Sequence, residues 1–405
     1  MRYILTTISL AVCLFAAILA LVDLPALVSS TTAATITAAN IFLTRCLPRS
    51  LARPAFSSWF NLTAASSRTM ATNGNSNATP FQGLPVIPPN DPALAKPEQD
   101  VVPRRIQQKF LAIEQAEGAG ARVRRSVGTA KLRNFSPFLM LDHFTISPGA
   151  GFPDHPHRGQ ETITYLLQGA VDHEDFAGNK GRIETGDLQF MTAGRGIMHA
   201  EMPVANADGT PNVGMQLWVD LPRRLKNCEP RYRDLRAAEI PVWRDQEAGI
   251  EVKVISGRRG NVESVAELAY TPVWLLDVTM RPGARLVQNL PASFNAFAYM
   301  LSGAAAFSDG PESTGQTQLV PQYHNVVFGQ DGDGVVASVP ADAAEPARFI
   351  LVAGLPLDQP IVQYGPFVVS SREEVYQAMM DFRGFANGFE RARDWESEIG
   401  KSMAF

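Results

Sequence analysis

HPHRGQETITYLLQGAVDHEDFAGNKGRIETGDLQFMTAGRGIMHAEMP, residues 155–203, alternates short apolar runs with glycine-centred turns and carries two histidine triplets. ITYLLQGAV and LQFMTAG have strand length, β-branched and aromatic content, and a turn signal at the end. Asn179-Lys180-Gly181, between two such runs, reads as a hairpin turn. The same pattern continues outward through VGMQLWVDL, VKVISG, VWLLDVTM, FAYMLSGAAAF, VVFG and RFILVAG, separated by Gly, Pro, Asn and Asp. Short strands at this density predict an all-β protein of sandwiches or jelly-roll barrels rather than βαβ units. Only the end predicts a short helical segment. Ser371 with Glu374 fits a capping box, Val375, Met379 and Phe382 share a helical face, and Gly384 is a stop signal.

The chain has 405 residues, room for two globular units plus some sequence outside them. With 45% hydrophobic and 19% charged residues it can bury a core, which excludes a wholly disordered or fibrous protein. An internal echo supports duplication. Tyr165, Leu167 and Gly169 recur as Tyr299, Leu301 and Gly303, and Phe190, Gly194 and Gly196 recur as Phe328, Gly332 and Gly334. We expect an N-terminal lobe over 105–240 and a C-terminal lobe over 241–405, preceded by a Pro-rich linker over 81–104.

Residues 1–80 stand apart. Ile4 to Val22 is an apolar run long enough to span a bilayer, whereas the following Ser-, Ala- and Arg-rich stretch resembles a mitochondrial leader. A secretory signal, a membrane anchor, a leader or a dispensable extension ending before Met70 are all open readings. A membrane partner is expected only if 4–22 is retained. Before residue 81 there are five Arg and one Asp, so the rest of the chain is acidic, against a total of −4. An acidic body lacks the basic footprint of a protein that grips nucleic acid directly. Cys228 is alone in that body, so no disulfide framework forms there, which suits the cytoplasm or nucleus.

His155-Pro156-His157 puts two imidazoles at i and i+2, on one face of an extended strand. Pro156 removes a backbone donor and points to an edge strand. His199-Ala200-Glu201 repeats the device with one nitrogen and one oxygen donor, and Glu161 shares the parity of the first pair if that strand continues. A lone His-x-His also fits a surface strand; the second triplet raises the pair to a candidate site for divalent iron, manganese, nickel, copper or zinc. The second lobe is a control. Under the offsets of the echo, His155, His157, Glu161, His199 and Glu201 map to Asn289, Pro291, Asn295, Ala337 and Val339, so each donor is lost while the scaffold persists. His143 and His173 read as structural polar residues, and Cys228 lacks a histidine nearby to make it a nucleophile.

The segment 155–203, with FSPFLMLDHF, GFPDHPHRG, QLWVDLP, YGPFVV and the closing NGFERARDW, resembles the pirin family of the cupin superfamily. The resemblance runs from about Arg105 to the C-terminus. It implies a bicupin of two antiparallel jelly-roll β-barrels and one Fe(II) per chain, in the N-terminal lobe. The implied metal ligands are His155, His157, His199 and Glu201, with Mn, Ni, Cu or Zn as substitutes. Glu161 then falls outside the ligand set and is kept in reserve as a catalytic base beside Glu201. Similar proteins are quercetin (flavonol) 2,3-dioxygenases, whose partners are a flavonol and dioxygen. Others are iron-dependent nuclear transcriptional coregulators that act through protein partners such as transcription factors. A monomer is expected. Phe152, Phe176, Phe190 and Met191 are candidates for a substrate mouth, and Arg158 or the Arg-rich 221–234 stretch for a partner surface.

Overall fold

Strand Gln160–Gln168 shows how the chain uses its apolar runs, because it is buried on both faces. The computed structural model describes residues 91–265, 269–310 and 315–401; the readings made for 1–80, and for 81–90 of the linker, lie outside the described residues. Ile163 and Tyr165 enter a core that also holds Leu217, Phe297, Tyr299, Ile350 and Val352, whereas Leu166 turns the other way, onto Val123, Phe144 and Val171. Each lobe is a seven-stranded antiparallel sheet with a four-stranded partner. In the first, the large sheet runs Arg231–Leu235, Leu188–Thr192, Gln160–Gln168, Asn212–Asp220, Phe138–Ile146, Ala121–Val127, Glu114–Glu117 in space. The small sheet runs Phe152–His157, Ile197–Pro203, Ala170–Asp175, Lys180–Glu184. The second lobe repeats this order, with Asn295–Ser302, Ala347–Gly354 and Val273–Met280 central in its large sheet. Among the described residues no helix is long and apolar enough to cross a membrane.

The echoed tyrosines sit where the lobes meet. Tyr165 Oη donates to Asp277 Oδ2 at 2.8 Å, and Asp277 also takes both arms of Arg348 at 2.9 and 2.7 Å. Reciprocally, Tyr299 Oη lies 3.2 Å from His143 Nδ1, and neighbouring Asp142 takes Arg125 at 2.8 and 2.7 Å. Burial first, then Arg124 and Arg348, lower the His143 pKa to about 4, so the ring is neutral and structural. Gly169 and Gly303 both have positive φ, at +86° and +63°, where a side chain would meet Asn212 and the Pro346 carbonyl respectively.

Two expected boundaries are corrected. Residues 91–104 are not a free linker: Asp91 caps helix Pro92–Ala95 through Ala93 N–H at 2.9 Å, and Arg104 is fully buried on the second lobe. Arg104 donates to the carbonyls of Phe294, Pro291 and Gly332 at 2.5, 2.7 and 3.2 Å. Strand Ile106–Leu111, expected in the first lobe, pairs with His324–Phe328 of the second. The far end of the chain crosses the other way. Ser371 Oγ caps helix Arg372–Gly384 by accepting Glu374 N–H at 3.2 Å, and positive φ falls on Phe385. Beyond it, Ser397 N–H donates to Asp154 and Glu398 N–H to Glu174, at 3.1 and 3.0 Å, on the first lobe's small sheet. The hairpin turn also falls earlier than read: it spans 176–179, with Asp175 Oδ1 accepting from Ala177 and Asn179 N–H, and Lys180 already in a strand.

Glu161 ties residues 270–271 of the second lobe to the first. It is fully buried and accepts from Thr192 Oγ1 at 2.8 Å and from the amides of Tyr270 and Thr271 at 3.2 and 3.4 Å. Burial raises its pKa to about 7; Thr192, Tyr270, Arg231 and Thr271 oppose that shift without cancelling it.

Two measurements follow. Because the folded-state value of Glu161 is the higher one, its contribution to stability is full below the unfolded-state value and is lost as pH climbs through about 7. The melting temperature of the parent should therefore fall more steeply between pH 5 and 7 than that of Glu161→Gln, and parallel profiles would contradict this. Arg104→Met leaves the buried carbonyls of Phe294 and Pro291 and the half-buried one of Gly332 without this donor and should cost about 3 kcal/mol or more in denaturant unfolding. A loss well under 1 kcal/mol would mean that the arm adds nothing.

Candidate metal centre

Strand Phe152–His157 is the edge of the small sheet, where Pro156 costs no ladder hydrogen bond to a second neighbour. It pairs with Ile197–Pro203 so that His155 lies directly opposite His199 and His157 opposite Ile197. Alternation turns all three imidazoles to one face, away from Asp154 and Ala200. His155 Nε2 lies 2.9 Å from His199 Nε2. One nitrogen from each of His155, His157 and His199 falls within 4.8 Å of the other two. His157 and His199 are buried; His155 is half-buried.

This cluster suits a cation. His155 Nδ1 faces the Pro153 carbonyl at 2.8 Å and His157 Nδ1 faces Gln160 at 2.9 Å, which leaves their Nε2 atoms for the cluster. His157 Nε2 and His199 Nδ1 are buried with no hydrogen-bond partner. Burial, then the neighbouring imidazoles, hold both rings well below the ordinary histidine pKa, so they are neutral and keep a lone pair. Three imidazoles with a nitrogen each turned to one cluster are a donor set for a divalent transition ion, and the residues present fit one.

The two glutamates are placed differently. Glu201 shares the face of His199, but its carboxylate accepts from Thr164 Oγ1 at 3.1 Å and Gln216 Nε2 at 2.9 Å and lies outside the three-histidine group. Gln216 is held in turn by Trp218 Nε1 at 2.9 Å, and the Trp218 ring meets His157 edge-on at 5.0 Å. Glu161 does not continue the parity of the first pair. The strand ends at His157, Gly159 turns the chain at φ +81°, and Glu161 belongs to the next strand, bonded to Thr192, Tyr270 and Thr271. Gln160, Thr164, Gln216 and Trp218 escaped the sequence reading. Only alternation along QETITYLL and VGMQLWV hints at Gln160, Thr164 and Gln216, as polar residues facing inward where aliphatic ones are usual.

Other candidates find structural places. Phe190 is buried in the core between the lobes and Met191 in the packing beside Ile197; Phe152 and Phe176 stay partly exposed. Arg158 is not a surface cation: it is buried, donates to the Arg195 carbonyl, Asp381 and the Asn387 carbonyl at 2.6, 2.7 and 2.7 Å, and stacks on Phe389. Lys226 is buried on Asp220, Gly159 O and Val368 O. His173 pairs with Asp234 at 3.1 Å. Burial, then Glu161, raise the Cys228 thiol to about 11, so it stays protonated.

Strand register refines the internal control. With Gly169 matched to Gly303, cross-strand pairing sets His155, His157, His199 and Glu201 against Gln288, Leu290, Val335 and Ala337, in place of the four residues read from the offsets. Phe190 opposes Ile163 as Val327, not Phe328, opposes Phe297. The lining around the site changes with it: Thr162, Thr164, Gln216 and Trp218 stand where the second lobe has Ala296, Ala298, Leu351 and Ala353.

Comparison with known proteins agrees with this arrangement. The Pirin family model matches residues 120–219, and the Pirin C-terminal cupin domain model matches residues 275–388. A pirin-like protein from Solanum lycopersicum is 46% identical over 296 residues, 73% of this chain and 97% of the relative. Pirin from Homo sapiens is 44% identical over 300 residues, 73% of this chain and 98% of the relative. A crystal structure of quercetin 2,3-dioxygenase from Acinetobacter baumannii superposes with a TM-score of 0.63 at 29% identity, covering 70% of this chain and 98% of that one. The strand pair bearing the histidines falls inside the first matched region, and the chain belongs to the pirin family, with the two-domain fold of the cupin superfamily.

Proposed function

We propose that this chain is a metal-dependent flavonol 2,3-dioxygenase acting on quercetin or a close analogue, with one ion in the N-terminal lobe. The observation that carries the reading is the converged cluster of three imidazoles, with His157 Nε2 and His199 Nδ1 buried and lacking partners. Similarity to a quercetin 2,3-dioxygenase supports it. His155, His157 and His199 would hold the ion, and Glu201, on the histidine face of its strand, would be the fourth ligand. Fe(II) is the expected ion, and Mn, Ni, Cu or Zn suit the same donors.

When bound, the ion supplies Lewis acidity that eases loss of the flavonol 3-hydroxyl proton near neutral pH. Glu201 is the base that takes it. Thr164 and Gln216 keep its carboxylate on the histidine face of strand Ile197–Pro203, and Trp218 braces Gln216. Phe152 and Phe176, partly exposed, offer flat apolar contact to the rings. The flavonolate is electron-rich and reacts with dioxygen; its heterocycle opens, both oxygen atoms stay in the ester product, and the carbon bearing the 3-oxygen leaves as carbon monoxide. The alternative, an iron-dependent coregulator working through protein partners, loses Arg158 and Lys226 to burial and keeps Arg223, Arg224, Arg233 and Arg236 as exposed cations.

The chain purified without chelator should carry one transition ion by mass spectrometry and consume quercetin in air, followed by absorbance. His157→Ala should lose both ion and turnover. Glu201→Gln should slow turnover by about 10²-fold or more while three imidazoles still retain metal. An ion bound without quercetin loss would overturn the dioxygenase reading and favour the coregulator; absence of any ion would overturn the metal centre.

A further inference from the structure

His157 meets the cluster through Nε2 and leaves Nδ1 against Gln160, a fully buried amide. The register position matching Gln160 in the second lobe is Phe294, a buried core residue, so the amide is not needed to fill this place in the fold. Gln160 Nε2 lies 2.9 Å from His157 Nδ1 and 3.3 Å from the carbonyl oxygen of Pro366. Gln160 Oε1 is buried with no partner, and so is His157 Nε2.

The Pro366 oxygen can only accept, so the amide nitrogen is the atom that belongs beside it. That nitrogen then also donates to His157 Nδ1, and the neutral ring must carry its hydrogen on Nε2. This is the wrong tautomer for holding a metal, because Nε2 must present a lone pair. To ligate, His157 has to carry the hydrogen on Nδ1 and donate it. A half-turn of the Gln160 amide brings Oε1 there to accept it. The two settings have the same shape and differ by one hydrogen bond, that from Gln160 to Pro366. The Pro366 oxygen still keeps the Arg158 N–H at 3.2 Å.

We propose that Gln160 is a positioning residue with two settings that select the His157 tautomer. The amide nitrogen faces His157 and Pro366 in the metal-free protein, and the amide oxygen faces His157 when an ion is held. The inference rests on the metal reading above. It also links the ion to the Pro366 segment, which docks on Arg158 through the Val368 N–H at 2.9 Å. Whatever tightens the hold of Gln160 on Pro366 weakens ion binding by the same factor.

Zn(II) is a diamagnetic probe for this. Imidazole ¹⁵N shifts of the metal-free chain should show His157 as the Nε2–H tautomer, converting to Nδ1–H on zinc loading. Calorimetry should show Gln160→Leu losing about 10–100-fold in zinc affinity, with its melting temperature recording whether it folds. Gln160→Glu, which can only accept from Nδ1–H, should stay within about a few-fold of the parent. An Nδ1–H tautomer without metal, equal affinity for parent and Gln160→Leu, or equal losses in both variants would overturn the role of Gln160. A parent that takes up no zinc would instead overturn the metal reading, and this inference with it.

Discussion

The apolar core shared by the two large sheets is the constraint around which the rest of the molecule is arranged. Ile163, Tyr165 and Leu217 from one lobe and Phe297, Tyr299 and Ile350 from the other close it on both sides. A strand covered on both faces has no water for its backbone, so each peptide group must pair within the sheet, and antiparallel register becomes strict. Polar side chains at this seam are admitted only with partners. Tyr165 with Asp277 and Arg348, Tyr299 with His143, and Asp142 with Arg125 meet that condition from opposite lobes in a nearly reciprocal way. Glu161 shows the cost of a buried carboxyl with partial compensation: its proton is held up to a pKa of about 7.

On either side of this seam the same strand order encloses two different interiors. The second lobe fills its own with Ala296, Ala298, Leu351 and Ala353 against Leu286, Phe307 and Val335. In the first, the matching positions hold Thr162, Thr164, Gln216 and Trp218, and the small sheet contributes three imidazoles and Glu201. An interior of that kind sacrifices hydrophobic contact and leaves nitrogens unpartnered, so it needs support from elsewhere. The second lobe's apolar interior and the common seam supply it. Duplication therefore separates an apolar interior in one lobe from an interior lined with nitrogen and oxygen donors in the other.

The chain ends reinforce the division by crossing over. Arg104 and strand Ile106–Leu111 belong to the second lobe, although the residues that follow build the first. Residues 372–401 return to the first lobe and back the sheet that carries the histidines, through Asp154, Glu174 and Arg158. Arg158 and Gln160, flanking Gly159 just after the histidine pair, both reach Pro366. The strand that bears His155 and His157 is thus held from behind by sequence more than two hundred residues away.

Strand content, duplication, the C-terminal helix and the three histidines were legible because each depends on local periodicity or on spacing of two. Alternation places His155 with His157 and His199 with Glu201 whatever the rest of the chain does, and proline between two histidines demands an edge. Spacing could not show that the first strand stops at Gly159, which removes Glu161 from the histidine face, nor that Glu201 is already held by Thr164 and Gln216. The fates of Arg104, Arg158 and Gln160 were equally out of reach, since an arginine or an amide reads as surface until something distant covers it. Their partners, Phe294, Asp381 and Pro366, lie between 190 and 223 positions along the chain. Sequence by itself determined which residues point the same way along a strand. Tertiary structure decided which of those faces are sealed and which nitrogens are left for a cation, because burial and hydrogen-bond satisfaction arise only when distant segments meet.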